Sequence, residues 1–207
     1  RVLASGPAGG VIGSAHAGRA KGHPDLLCVD MGGTSYDMSV VIGGQAPAEA
    51  GWNMHHRYLI GVPMVKVETL GAGGGSICHV ANGALLVGPK SAGSVPGPMA
   101  YGRGGTQPTV TDANLFLGRL GDDSLLDGKM KLDSAATGKA LTELGAKIGL
   151  SDRELAEGIL AISNAKMADA MRTITVGQGI DPRDFTLVAF GGAGPMHAVE
   201  LARELDM

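Results

Sequence analysis

The chain has 207 residues, 44% hydrophobic and 18% charged, a balance that is typical of folded globular proteins and argues against disorder. Its net charge of −3 and the lack of a basic stripe argue against a nucleic-acid partner, and no apolar run reaches the roughly 18 residues that a membrane-spanning helix requires. Glycine is the outlier at 35 residues, and because no Gly-X-Y period is present, this excess predicts many tight turns instead of collagen.

The first elements predicted along the chain are a helix and a hairpin. Small residues over 8–22 predict a closely packed helix, with Pro7 suited to its first turn. Apolar runs predict strands at 26–30 and 37–43, which are joined by the turn 30–35. This hairpin would present its turn to solvent.

The central part of the chain combines strand patterns with dense glycine. Alternation at 64–69 predicts a strand, and the glycine run 71–76 follows it. Residues 77–87 predict a second hairpin around Asn82-Gly83, which is a strong two-residue turn signal. Residues 88–108 are rich in Pro, Gly and Ser without periodicity, so this long connection is either functional or packed against something else.

The last part of the chain is predicted to be mainly helical. Thr111 or Asp112 is suited to cap the first of these helices. Ser151 with Glu154 three residues later is a capping-box signature for the longest one. The first predicted helix ends at residue 117, and the next two span 134–149 and 152–176. A strand at 185–190 then leads to a final helix.

Two glycine turns follow buried-strand patterns and indicate an anion-binding site. The first is Asp-Met-Gly-Gly-Thr-Ser-Tyr-Asp at 30–37, and the second is Phe-Gly-Gly-Ala-Gly-Pro-Met-His at 190–197. Glycine lacks the Cβ that would keep a phosphate away from backbone N–H groups. The second turn also opens a predicted helix, whose N-terminus favours negative charge. Together the turns predict a nucleotide held between them.

Seven motifs in one order extend this pattern over nearly the whole chain. They are DMGGTSYD at 30–37, GAGGGS at 71–76, GPKSAG at 88–93, PGP at 96–98, YGRGG at 101–105, PTVTDAN at 108–114 and FGGAGP at 190–195. This set closely resembles the hydantoinase A / 5-oxoprolinase family. The family includes ATP-dependent N-methylhydantoinases, 5-oxoprolinases and the nucleotide-binding subunits of acetone and acetophenone carboxylases.

The resemblance implies an α/β fold: one RNase H-like half of an actin/Hsp70/sugar-kinase-type ATPase with a Gly-rich β insertion. The nucleotide-binding half would comprise 1–45 and 126–207, and the Gly/Pro-rich insertion would be 46–125. The chain starts without Met, lacks the family's first phosphate loop and ends inside a helical pattern. We therefore expect a central-to-C-terminal piece of a longer protein, inactive alone.

The resemblance also implies roles for residues of both turns. Asp30 would hold Mg²⁺, and the catalytic candidates are Asp30 and Asp37, although Asp37 is also suited to cap its turn. The alternative for both turns is a purely structural role at a strand end. The residues implied to bind ATP are Gly32, Gly33, Thr34 and Ser35 at the phosphates and Gly191, Gly192, Ala193 and Pro195 at the adenosine.

The implied activity is phosphorylation of a substrate carbonyl with Mg-ATP, leading to ring opening of a hydantoin or 5-oxoproline-like cyclic amide. The alternatives are the nucleotide-binding subunit of an ATP-dependent ketone carboxylase and a non-catalytic scaffold with the same fold. The expected partners are a hydantoinase B-like subunit or domain, the missing N-terminal half and a small cyclic amide. Two cysteines in the whole chain favour a reducing, cytoplasmic location.

Four other features leave alternatives open. The run 71–76 is either a second anion cradle or an interface turn, and Asp112 is either a helix cap or a site residue. Lys90 and Arg103 are suited to neutralise a phosphorylated intermediate, but they fit a solvated loop equally.

The histidines give weak signals. His55-His56 and His79 lack a spaced third ligand, which makes a poor metal signature. His197 fits the first turn of the last helix better than a catalytic role.

Overall fold

The computed structural model describes residues 5–50, 52–55, 58–61, 63–123, 125 and 128–207. The helices are α1 (Ser5–Ala20), α2 (Val110–Phe116), α3 (Ser134–Ala146), α4 (Asp152–Gly177) and α5 (Gly194–Glu204), with short 3₁₀ helices at Met99–Tyr101 and Pro182–Asp184. The strands are β1 (Leu26–Met31), β2 (Tyr36–Val41), β3 (Ala48–Glu49), β4 (Trp52–His55), β5 (Tyr58–Ile60), β6 (Met64–Val65), β7 (Glu68–Leu70), β8 (Ser76–Ala81), β9 (Ala84–Ser91) and β10 (Thr186–Phe190).

A four-stranded sheet in the order β10-β1-β2-β7 forms the centre of the fold. Strand β1 runs parallel to β10 and antiparallel to β2, while β7 pairs antiparallel with β2. Because β1 lies in the interior of the sheet with both faces covered, it reads as a continuous apolar run that ends in Asp30 and Met31. This is the mixed α/β fold that was predicted.

Helices cover both faces of the sheet, as the alternation of β1 shows. Leu26 and Cys28 belong to a small cluster under α1, whereas Leu27 and Val29 belong to the main core on the side of α4. Cys28 and Cys78 are both buried free thiols, one in each cluster. Among the described residues, no helix combines the length and the hydropathy needed to cross a membrane.

Most predicted elements are present, with two corrections. The strand predicted at 64–69 is two short strands, β6 and β7, that pair with β3 and β2 respectively, so the chain changes partner between them. Helix α2 is capped by Thr109, not by Thr111 or Asp112. Asp112 occupies the third helical position, and its carboxylate accepts a hydrogen bond from the Thr109 N–H at 2.8 Å, which completes a capping box.

Asp112 also connects this helix to the preceding loop. Its fully buried carboxylate accepts hydrogen bonds from the backbone N–H groups of Ala100 at 2.7 Å and Met99 at 3.3 Å. Of the two roles left open for Asp112, these contacts favour the structural one: Asp112 completes the capping box of Thr109 and anchors the preceding loop.

Candidate functional site

The first glycine turn places two carboxylates opposite each other. In the antiparallel ladder of β1 and β2, Asp30 is paired with Asp37, and Met31 is paired with Tyr36. Directly paired residues project from the same face of a sheet. The turn between the strands is closed by a hydrogen bond of 3.1 Å from the Gly32 N–H to the Ser35 carbonyl.

Asp30 has an environment that disfavours its negative charge. Burial, and after it the charge of Asp37, raise the pKa of the Asp30 carboxyl above its ordinary value. Within the described part of the chain, no group donates a hydrogen bond to this carboxylate. A cation bound beside it would therefore relieve both unfavourable effects.

Asp37 is held in place by hydroxyl groups. The Thr69 hydroxyl donates to Asp37 Oδ1 at 2.6 Å, and the Ser35 hydroxyl donates to Oδ2 at 3.3 Å. The Ser35 contact agrees with the turn-capping interpretation of Asp37. The Thr69 contact comes from β7, and only the pairing of β7 with β2 brings this hydroxyl to the turn, so the sequence pattern did not reveal it.

The second glycine turn touches the first. Gly191 has φ 83°, and a Cβ there would collide with the Asp30 carboxylate and lie 2.6 Å from the Met31 carbonyl oxygen. The Ala193 N–H donates to that carbonyl at 2.9 Å. Because β10 is parallel to β1, both strands end at one edge of the sheet, and their turns meet there.

Helix α5 begins at this meeting point. It starts at Gly194 with Pro195 in its first turn, and the partial positive charge of a helix N-terminus favours anions. His197 is completely buried, and both ring nitrogens have protein partners: its Nδ1 lies 2.7 Å from Asn164 Oδ1, and its Nε2 lies 3.3 Å from Asn114 Nδ2. Burial lowers the pKa of His197 to about 4, so this side chain is a neutral interior group at pH 7.

The glycine run 71–76 also reaches the first turn. The Gly74 N–H donates to the Gly32 carbonyl at 2.9 Å, and the Gly75 N–H donates to the Gly33 carbonyl at 2.7 Å. The Gly73 N–H donates to the Ser76 hydroxyl at 3.0 Å. Since these three N–H groups are occupied by protein acceptors, the geometry favours the packing interpretation over a second anion cradle.

Other candidates lie apart from this meeting point or have different partners. Arg103 contacts Met130 Sδ at 3.8 Å, and Lys90 is exposed on β9. His79 lines a separate groove beside α3, while the pair His55-His56 lies outside the residues whose side chains are described.

The donor set at the turns fits Mg²⁺. Among the described residues, no group of three or more His, Cys, Asp or Glu side chains forms a metal cage. Mg²⁺ commonly keeps several waters and takes only one or two carboxylates. The pair Asp30 and Asp37, one of them without a donor, meets that requirement.

Comparisons with known proteins agree on one family. The family model described as Hydantoinase/oxoprolinase matches residues 1–207. The chain is 44% identical over 206 residues to caprolactamase subunit alpha from Pseudomonas jessenii, which covers 99% of this chain and 30% of that protein. The chain thus spans less than a third of the length of this relative.

Two solved structures share the fold. The crystal structure of the ATP-dependent caprolactamase from Pseudomonas jessenii matches 96% of this chain and 29% of its own, with a TM-score of 0.84 at 44% identity. The nucleotide-free acetone carboxylase, described for ATP-dependent acetone carboxylation, matches 97% of this chain and 29% of its own, with a TM-score of 0.86 at 31% identity.

Proposed function

Because the chain belongs to the hydantoinase/oxoprolinase family, we propose that it is the nucleotide-binding part of an ATP-dependent cyclic amidase that opens a hydantoin or lactam ring. The assignment to this family from sequence motifs is confirmed by the family match. The observation that carries the proposal is the meeting of two glycine turns beside the carboxylate pair Asp30 and Asp37. This combination provides for a metal ion and for an anion at the same edge of the sheet.

Each part of the site has a role in the proposal. Asp30 and Asp37 would hold Mg²⁺, and Asp37 is itself oriented by Thr69 and Ser35. Donors of the first turn take the β- and γ-phosphates, because backbone N–H groups bind anions well where no Cβ intervenes. The residues proposed for the phosphates are Gly33, Thr34 and Ser35, together with Gly32, whose own N–H donates to the Ser35 carbonyl and so closes the turn instead of binding phosphate. Those proposed for the adenosine are Gly191, Gly192, Ala193 and Pro195.

Bound Mg-ATP would supply a phosphoryl group that turns a poor carbonyl electrophile into a reactive one. The residues of this chain contribute position and charge, which dominate catalysis of phosphoryl transfer. The two carboxylates would hold the metal, and the N–H groups of Gly33 and Thr34 would bind the phosphates.

The proposal includes a fold assignment and a location. The mixed sheet, with an antiparallel hairpin followed by a parallel strand, supports an RNase H-like half of an actin/Hsp70/sugar-kinase-type ATPase. Its parts would be 1–45 and 126–207, with 46–125 as an insertion that also contributes strand β7 to the central sheet. The free, buried cysteines support a cytoplasmic enzyme.

A second candidate is the nucleotide-binding subunit of an ATP-dependent ketone carboxylase. The structural similarity to acetone carboxylase favours it, because that similarity extends over nearly the whole chain. In either case we propose a hydantoinase B-like subunit or domain and the remainder of the polypeptide as partners. The subunit name of the caprolactamase relative supports an assembly of this kind.

Phosphate release by the full-length protein with its hydantoinase B-like partner tests both candidates. The substrates are hydantoin, 5-oxoproline, caprolactam, and acetophenone or acetone with bicarbonate. Stimulation by a cyclic amide supports the amidase, and stimulation by a ketone with bicarbonate supports the carboxylase. Nucleotide binding without stimulation by any of them would favour the scaffold, and an Asp30→Asn variant provides the inactive control.

A further inference from the structure

The carbonyl groups of the first turn have partners that determine where its N–H groups point. The carbonyls of Gly32 and Gly33 both accept hydrogen bonds from the run 71–76. In a planar trans peptide, the C=O and the following N–H point in opposite directions. The N–H groups of Gly33 and Thr34 therefore point away from that run, and no described residue accepts a hydrogen bond from either of them.

The backbone of the run 71–76 packs directly against the backbone of the first turn. A Cβ on Gly73 would lie 2.6 Å from the Gly33 carbonyl carbon and 2.6 Å from the Thr34 nitrogen. These are backbone atoms, which cannot move aside as the end of a flexible side chain does. Only glycine at position 73 permits this approach.

Thr111 fixes the run from its other side. The Gly74 carbonyl accepts two hydrogen bonds from Thr111, one from its N–H at 2.7 Å and one from its hydroxyl at 2.9 Å. Thr111 lies in the first turn of α2, where the capping box and the buried Asp112 carboxylate hold the backbone. A continuous chain of contacts therefore joins α2 to Gly74 and Gly74 to Gly32.

We propose that Thr111 and residues 73–75 are positioning residues, which hold the first turn so that the N–H groups of Gly33 and Thr34 face the phosphates of the nucleotide. That a nucleotide binds at this turn rests on the proposed function. We call Thr111 and residues 73–75 the brace. Its hydrogen bonds and close contacts are present whether or not a nucleotide binds.

Thr111→Val in the full-length protein tests the brace, because it removes the hydroxyl donor and keeps the shape. We expect the Kd for Mg-ATP to rise roughly three- to tenfold, as for the loss of one buried hydrogen bond. We also expect faster amide hydrogen exchange in peptides that cover residues 31–36. Thr111→Ser, which restores the hydroxyl, should restore both.

The matched control is Thr175→Val. Thr175 is completely buried, and its hydroxyl donates to the Met171 carbonyl at 3.0 Å inside α4, with no hydrogen bond to either turn in the described part of the chain. Thr175→Val should lower the melting temperature about as much as Thr111→Val does. Amide hydrogen exchange over residues 31–36 should stay at the wild-type rate.

The outcomes separate this inference from the proposed function. Wild-type exchange over 31–36 in Thr111→Val, or equal effects of both valine variants there, would overturn the brace. Faster exchange confined to 31–36 in a protein that binds no Mg-ATP would support the brace and defeat the proposed function.

Discussion

Asp30 carries a charge that the folded chain disfavours, and this predicts opposite effects of one substitution on stability and on function. Because burial and Asp37 raise the pKa of Asp30, the folded state favours the neutral form more than the unfolded chain does. Asp30→Asn, which mimics that form, should raise the melting temperature of the protein without nucleotide. It should also lower ATP turnover by roughly a hundredfold or more through loss of the metal ligand.

Thermal unfolding and a phosphate-release assay measure the two effects. Asp152→Asn, at a half-buried carboxylate in the first turn of α4, is the control and should leave turnover unchanged. Retained turnover in Asp30→Asn would remove Asp30 from the mechanism.

A substitution at Gly33 should weaken Mg-ATP binding without changing the stability of the protein. A Cβ on Gly33 would meet no atom within 4 Å, so Gly33→Val should fold with a melting temperature close to that of the wild type. The added side chain would occupy space beside the N–H donors, and we expect at least a tenfold weaker Kd for Mg-ATP by calorimetry. Gly177→Val, also in open space but at the end of α4, is the matched control. Equal Kd values for Mg-ATP in the wild type, Gly33→Val and Gly177→Val would mean that the first turn does not bind the nucleotide.

Helices α2, α4 and α5 share one buried polar network whose stability depends on pH. His197 of α5 bonds to Asn164 of α4 and approaches Asn114 of α2. The folded pKa of His197 is about 4, below the ordinary value of 6.5, so the unfolded chain takes up the proton first as the pH falls. The network is therefore fully stabilising above pH 6.5 and loses stability from there down to about pH 4.

The expected loss in the free energy of unfolding between pH 7.5 and pH 5 is about 2 kcal/mol from this group. Urea denaturation at the two pH values measures it. His197→Gln lacks the titrating group, and its own loss should be smaller by that amount. If both proteins lost the same stability, His197 would not be the buried neutral group described here.

Sequence patterns predicted local elements well and long-range contacts poorly. Asn82-Gly83 does form the hairpin turn, with φ of 52° and 75°, and Ser151 does cap α4, because both signals depend on adjacent residues. The cap of α2 was missed because Thr109 pairs with an aspartate at the third position in place of the usual Glu or Gln. The contact of residues 73–75 with the first turn depends on packing between distant segments, which no local pattern encodes.

For the molecule as a whole, the length of the relatives bears on how tightly the proposed site binds nucleotide. Since the chain spans 30% of the length of the caprolactamase relative, we expect other parts of the polypeptide to contribute to nucleotide affinity. Residues 1–207 alone should therefore bind Mg-ATP more weakly than the full-length protein, with a Kd above the micromolar range. Calorimetry on both proteins, after circular dichroism has established that the shorter one folds, measures the difference, and micromolar binding by residues 1–207 would contradict this prediction.

The two buried cysteines can report the order in which the two layers of the core open. Burial raises the pKa of the Cys28 thiol to about 11 and raises that of Cys78 as well, so neither reacts with an alkylating reagent until its layer opens. Cys28 reports separation of α1 from the sheet, and Cys78 reports opening of the main core. Because the α1 cluster is the smaller of the two, Cys28 should be alkylated first, and mass spectrometry over time would resolve the order in which the layers come apart.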